Sequence, residues 1–208
     1  ELLEEKGYTV SKEEFNYCMN VQKEMARSRR KDIASMNIQN KALLEFNTPS
    51  IFTGYDDYQT ETEVIALIKE DKFVEELTDE GYVILGETPF YAEKGGQVSD
   101  TGYIYNDILK AEVIDVIVSP NKQHVHIVNI EEGKIKLHDK VTARINVKRR
   151  LSIEKNHSAA HLLHTAIMQV LNTNATQAGS KVGDSYLRLD FIYPGKITDE
   201  DLVKIEDL

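Results

Sequence analysis

A single cysteine, Cys18, occurs in 208 residues, so no disulfide can form within the chain. Such sparing use of thiols fits a reducing compartment, the cytoplasm. No apolar run approaches the roughly 20 residues that a membrane-spanning helix needs, and no membrane partner is expected. Internal repeats and low-complexity tracts are also missing, which excludes a solenoid or a disordered linker. The GxxxxGK[ST] pattern of a P-loop does not occur, nor does the GxGxxG of a dinucleotide site. No charged-then-apolar leader opens the chain. The sequence starts at Glu1 and stops in Ile205-Glu206-Asp207-Leu208 without a turn or cap signal, so it reads as a piece of a longer protein.

What is present is ordinary for a globular protein: 41% hydrophobic and 29% charged residues. The length suits one large or two small domains. The net charge of −10 is unevenly spread. Residues 1–46 are neutral, residues 47–143 hold eight basic against nineteen acidic side chains, and residues 144–208 carry +1. Basic side chains cluster at Arg27, Arg29, Arg30 and Lys31, and again at Arg144, Lys148, Arg149, Arg150 and Lys155. Either cluster is a candidate for phosphate contact, and either is equally a solvated helix face or strand end.

The hydrophobic period changes twice. Ser11-Lys12-Glu13-Glu14 has the form of a capping box, and apolar residues from Phe15 to Ala26 recur at helical spacing. The pattern predicts a helix to about Phe46, ended by Asn47-Thr48-Pro49-Ser50. A narrow apolar stripe on such a helix suits a connector or packing element. From Phe52 to Val147 short β-rich runs follow, clearest at Tyr82–Leu85, Val113–Val118, His124–Val128 and Val141–Ile145. Their regular spacing predicts a small closed or nearly closed barrel. The stretch from Glu61 to Leu77 reads as a hairpin turning at Asp71-Lys72, because Val64-Ile65 and Phe73-Val74 favour strand. After Arg150 the helical period returns as a strongly apolar helix, Leu151 to Leu171, that must be buried against something. Strands from Ala178 to Tyr193 and a last helix opening at Asp199 complete an α+β chain: a long N-terminal helix (1–48), a β-barrel (49–150) and a truncated α/β unit (151–208).

Chemistry concentrates in Asn156-His157-Ser158-Ala159-Ala160-His161-Leu162-Leu163-His164. His157 and His161 lie at i and i+4, so both imidazoles point from one helix face and can reach one metal ion. His164 is too far along the axis to join them, since seven residues rise roughly 10 Å. The competing reading is a row of histidines hydrogen-bonded along a helix in a polar cleft. No glutamate follows His157, which excludes the metalloprotease pattern. His124 and His126 share one strand face without companion ligands and read as structural. Gly95-Gly96 permit positive φ and close approach of backbone to a ligand or another loop.

Taken together, these stretches resemble the alanyl-tRNA synthetases and their free-standing editing relatives. Phe90-Tyr91-Ala92-Glu93-Lys94-Gly95-Gly96-Gln97-Val98-Ser99-Asp100-Thr101-Gly102 is similar to the family's glycine-rich segment, except that Lys94 stands where many relatives carry a small residue. Residues 156–164 are similar to the first half of its zinc motif. Leu3–Tyr8 and Phe15–Met19 resemble the end of its helical tRNA-recognition region. The resemblance implies that His157 and His161 hold Zn2+ with a later Cys-x3-His pair that has no match here. It also implies that Gln177, with Gly95 and Gly96, lines an editing pocket, and that Arg149, Arg150, Arg29 and Arg30 are candidates to meet tRNA. The implied partner is the acceptor end of the alanine-specific tRNA, and the implied whole enzyme joins alanine to tRNA with ATP and Mg2+ in a catalytic domain outside these residues. The implied oligomerisation region also lies outside them. The implied role of this region is hydrolysis of tRNA mischarged with serine or glycine. The rival readings are a tRNA-binding and spacing module without activity of its own, or a free-standing misacyl-tRNA deacylase. The long N-terminal helix argues against the last.

Overall fold

The computed structural model describes residues 41–172 and 175–208, together with Tyr17 and Met19. The helix expected over residues 11–46 therefore lies outside the described residues, apart from Tyr17 and Met19, both helical, and a final turn α1, Lys41–Glu45. Arg29 and Arg30 lie outside them as well.

Six antiparallel strands close into a barrel: β2 (Gln59–Lys69), β5 (Glu80–Leu85), β7 (Gly102–Tyr105), β8 (Lys110–Val118), β9 (His124–Glu132) and β11 (Lys140–Ile145). Their order is β11-β7-β8-β9-β5-β2, and β11 pairs with both β7 and β2, so the sheet has no open seam there. Closure removes the unpaired edges that a free sheet would expose. Val64, Leu67, Val83, Leu85, Ile104, Val113, Val128 and Ala143 fill the interior. The near-continuous apolar runs Ala66–Ile68 and Val83–Leu85 arise because this part of the wall is covered on both sides. Ala42 and Leu43 of α1 pack outside on Ala66, Ile68, Ile84 and Val125. A bulge between Val64 and Ala66 shifts the alternation, so that Val64 and Leu67 both face inward. The turn between β8 and β9 caps α1: Asn121 Nδ2 donates to Leu44 O and Phe46 O, and Gln123 Nε2 donates to Phe46 O and Thr48 O. These bonds satisfy carbonyls that a helix end leaves free.

The segment from Glu61 onward is a hairpin, but its turn lies at Glu70-Asp71, one residue before the expected position. Both residues have positive φ, 47° and 63°, and Lys69 pairs with Lys72 in the short β3 (Lys72–Phe73). That is a two-residue loop with left-handed central residues, whose twist matches the flanking strands. Short pairs β1 (Ile51–Phe52) with β6 (Glu87–Thr88), and β4 (Glu76–Leu77) with β10 (Ile135–Lys136), finish the barrel rim.

The helix that follows, α2, spans Val147–Val170, starting four residues earlier than its apolar period suggested. Asn146 sets that start: its side chain accepts from Arg149 N at 3.1 Å, satisfying one of the free first-turn donors. One face of α2 packs on the two-stranded sheet β12 (Thr176–Val182) and β13 (Leu187–Ile192) and on α3 (Asp199–Glu206). The helix is thus buried against something, as its apolar character required, but along one stripe: Arg150, Ile153, Ala166 and Ile167 are buried, whereas Leu162 is 72% exposed. A two-stranded sheet and one short helix are too narrow to cover more than one stripe of it. Thr198 and Asp201 form a reciprocal capping box at the start of α3.

Candidate functional site

Residues 89–100 form an arm that leaves the barrel and returns to it. Its base is closed by Tyr91 N donating to Asp100 Oδ2 (2.8 Å) and Asp100 N donating to Tyr91 O (2.9 Å). Phe90, fully buried, anchors it on the barrel core. His124 Nδ1 donates to Phe90 O at 2.8 Å, and Glu93 N donates to Val116 O at 2.9 Å. His126, also fully buried, packs edge-on against the Phe90 ring at 5.2 Å. Its Nδ1 donates to Val83 O and its Nε2 accepts from the Thr88 hydroxyl. Burial drives its pKa from 6.5 down to about 3, and burial likewise lowers that of His124. Both histidines are thus neutral struts of the arm. Tyr91, in the arm itself, is pushed up, first by burial and then by Tyr55 and Asp100.

The tip is a tight turn in which Lys94 and Gln97 exchange backbone hydrogen bonds of 3.3 and 3.1 Å. Gly95 and Gly96 take φ of 62° and 84°. Beyond the turn the arm joins β12: Val98 N donates to Val182 O (3.0 Å), and Val182 N donates to Gly96 O (2.8 Å). A Cβ on Gly96 would stand 2.6 Å from Ser180 O, whereas one on Gly95 would meet open space. The second glycine is therefore required by close approach to β12, and the first by the turn alone.

This docking brings the arm to the histidine helix. Gln97 Oε1 accepts from His157 Nδ1–H at 2.6 Å, and Asn156 Nδ2 donates to Gly183 O at 2.8 Å. The rings of His157 and His161 lie 5.2 Å apart, tilted by 38°. Two imidazoles sharing one tetrahedral ion through bonds near 2 Å have centroids about 5 Å apart, which is the separation of this pair. Among the described residues no set of three or more His, Cys, Asp or Glu completes a metal shell. His164 turns elsewhere and donates Nε2–H to Ala175 O at 3.0 Å. Gln177 is exposed on β12 opposite Phe191, where a bulge between Gln177 and Gly179 breaks the register with β13.

The two basic candidates at the head of α2 have inward partners. Arg150 is 5% exposed. Its guanidinium grips the Asp100 carboxylate and donates to Gly54 O (2.7 Å) and Pro89 O (3.0 Å). Arg149 Nη1 donates to Ser99 O at 2.6 Å and stays half-buried. Gln97, Asn156 and Asp100 all belong to quoted motifs, yet sequence reasoning gave none of them a role. The position of Gln97 directly after a diglycine turn was the available signal.

Barrel, arm and histidine-bearing helix define a two-module α+β protein with its candidate site at the seam. The profile of the family described as tRNA synthetases class II (A) matches residues 1–149, and the chain belongs to that family. It is 43% identical over 208 residues to the alanine–tRNA ligase of Oceanobacillus iheyensis, covering 99% of this chain and 24% of that protein. Identity to the alanine–tRNA ligase of Bacillus cereus strain ATCC 14579 is 44% over the same coverage. With that of Shouchella clausii it is 41% over 211 residues, spanning all of this chain and 24% of that one. The chain thus spans about a quarter of the length of the curated relatives it matches. No helix among the described residues is long and apolar enough to cross a membrane.

Proposed function

We propose that this chain is the section of an alanine–tRNA ligase that joins the barrel to the opening part of the editing domain. On this reading it contributes to hydrolysing the ester between serine or glycine and the terminal adenosine of tRNA. The observation that carries the reading is the seam itself, where the Gly95-Gly96 turn, β12 and the His157–His161 pair converge. Serine is alanine plus one hydroxyl, and a synthetic site rejects such an isostere only weakly, so a second hydrolytic site is needed. His157 and His161 are the two residues here that would hold zinc, with two further ligands supplied by a later Cys-x3-His. When bound, the ion supplies Lewis acidity toward the ester or toward the attacking water. Gln177 offers amide donors and an acceptor to a serine hydroxyl, on the strand that the arm joins at Val182. ATP, Mg2+ and the joining of alanine to tRNA belong, on this proposal, to a catalytic domain outside these residues. The setting is the cytoplasm.

The test is deacylation of Ser-tRNA against Ala-tRNA by a chain extended through the following Cys-x3-His, before and after zinc chelation. Selective, zinc-dependent loss of serine is the expected result. Absence of deacylation alongside tight tRNA binding would favour a second reading, a binding and spacing module. Arg150 favours that second reading, because it ties α2 to Gly54, Pro89 and Asp100 and so fixes the angle between the two modules. A free-standing deacylase is disfavoured by the family match over residues 1–48, which precede the barrel.

A further inference from the structure

We propose that Gln97 is a positioning residue for His157, holding its ring in the Nδ1–H form so that the lone pair stands on Nε2. Gln97 Oε1 lies 2.6 Å from His157 Nδ1. A carboxamide oxygen only accepts, so the bond requires the proton on Nδ1. Which nitrogen of a histidine binds a ligand is set by the bond that the other makes. The carboxamide is delivered by a backbone pinned on two sides: Gln97 bridges to Lys94 within the turn and to Val182 of β12. The bridge to β12 depends on Gly96, whose missing side chain lets the arm approach Ser180. The barrel thereby sets the protonation pattern of a ring on a different module. For a metal-bound imidazole, this kind of outer partner fixes both tautomer and orientation. His161 sits beside His157 at 5.2 Å between ring centroids, so an Nε2 lone pair on His157 is available to an ion that both share.

The consequence for zinc rests on the proposed histidine pair, whereas the tautomer itself does not, and the experiment separates them. The nitrogen shifts of His157 are measured by 15N NMR in the full chain at about pH 8, where imidazole is neutral. The expected spectrum has a protonated Nδ1 and a pyridine-like Nε2, and an Nε2–H ring would overturn the proposal without any substitution. Gln97→Leu, which keeps the bulk and removes the acceptor, is expected to give a tautomer mixture. Gln97→Glu, which keeps an acceptor, is expected to retain Nδ1–H. An unchanged tautomer in Gln97→Leu would also overturn the proposal. Zinc affinity of the chain extended through the following Cys-x3-His, read by chelator competition, is expected to fall roughly 10–100-fold with Gln97→Leu and to be largely retained with Gln97→Glu. Equal affinity with and without Gln97→Leu in that extended chain would overturn the role toward metal. Failure of the extended chain to bind zinc with an intact Nδ1–H signature would sink the metal reading alone and support the positioning bond.

Discussion

Arg150 and Asp100 form an ion pair sealed between the first turns of α2 and the base of the glycine arm, their side chains 6% and 3% exposed. Each carboxylate oxygen is occupied, since Asp100 Oδ2 also accepts from Tyr91 N and Oδ1 from Arg150 Nε. Removing one partner strands a buried charge, which typically costs about 3–5 kcal/mol. Asp100→Ala should therefore destabilise the chain by that order in urea unfolding. Replacing both residues by apolar side chains of similar volume should cost far less. A loss below about 1 kcal/mol for Asp100→Ala would contradict the assigned partnership.

The two glycines of the arm are predicted to differ. Gly95→Ala introduces only the left-handed backbone penalty, on the order of 1–2 kcal/mol, because open space surrounds the new methyl. Gly96→Ala adds a clash with the Ser180 carbonyl on top of the same penalty, about 1–3 kcal/mol more. It should also detach the arm from β12, seen as faster amide exchange at Val98 and Val182. Equal stability of the two variants would refute the close approach.

The barrel was legible because its strands carry β-branched runs of the right length, and the positive φ at Gly95-Gly96 because glycine alone takes it freely, but the arm that carries this turn was not. The seam was less so. Arg149 and Arg150 are adjacent in a basic cluster, and only the helix start at Asn146 decides which of them turns inward to Asp100 and which lies half-buried near Ser99. Composition reads such a cluster as a surface. Gln97 and His157 are 60 residues apart, and only the pairing of the arm with β12 brings them together. The exposure of Leu162 was equally unreadable, since periodicity marks an apolar residue and not the presence of a covering element.

Stability should depend on pH through His126. Its folded pKa is about 3 against an ordinary 6.5, so below pH 6.5 the unfolded chain binds a proton that the folded chain refuses. The sign follows: this contribution is complete above pH 6.5 and is lost as pH falls toward 3, at roughly 1.4 kcal/mol per unit. By pH 5 the loss is about 2 kcal/mol, with His124 acting in the same direction. Urea unfolding at pH 5 and pH 7.5 reads it directly. His126→Gln should be less stable at pH 7.5 yet show a shallower decline. An identical decline in the variant would assign the effect to other groups.

Contact with tRNA is testable at the two basic clusters, and burial dictates how. Charge reversal at Arg150 would break the Asp100 pair and report on folding instead of RNA, so it serves only as a stability control. Arg149→Glu combined with Lys148→Glu reverses the half-buried Arg149, at the cost of its bond to Ser99 O, together with the exposed Lys148, and Arg29→Glu with Arg30→Glu reverses the other cluster. A side chain that meets a phosphate releases a counterion, so its reversal should weaken binding and reduce the salt slope by about 1 per contact. Lys134→Glu, at a residue paired with Glu76 on the barrel rim, should leave both quantities unchanged. Filter binding across a salt series distinguishes the clusters. A slope that flattens only when Lys148 and Arg149 are reversed would put the RNA against the head of α2. A slope that flattens only with Arg29 and Arg30 would leave the head of α2 a purely structural joint.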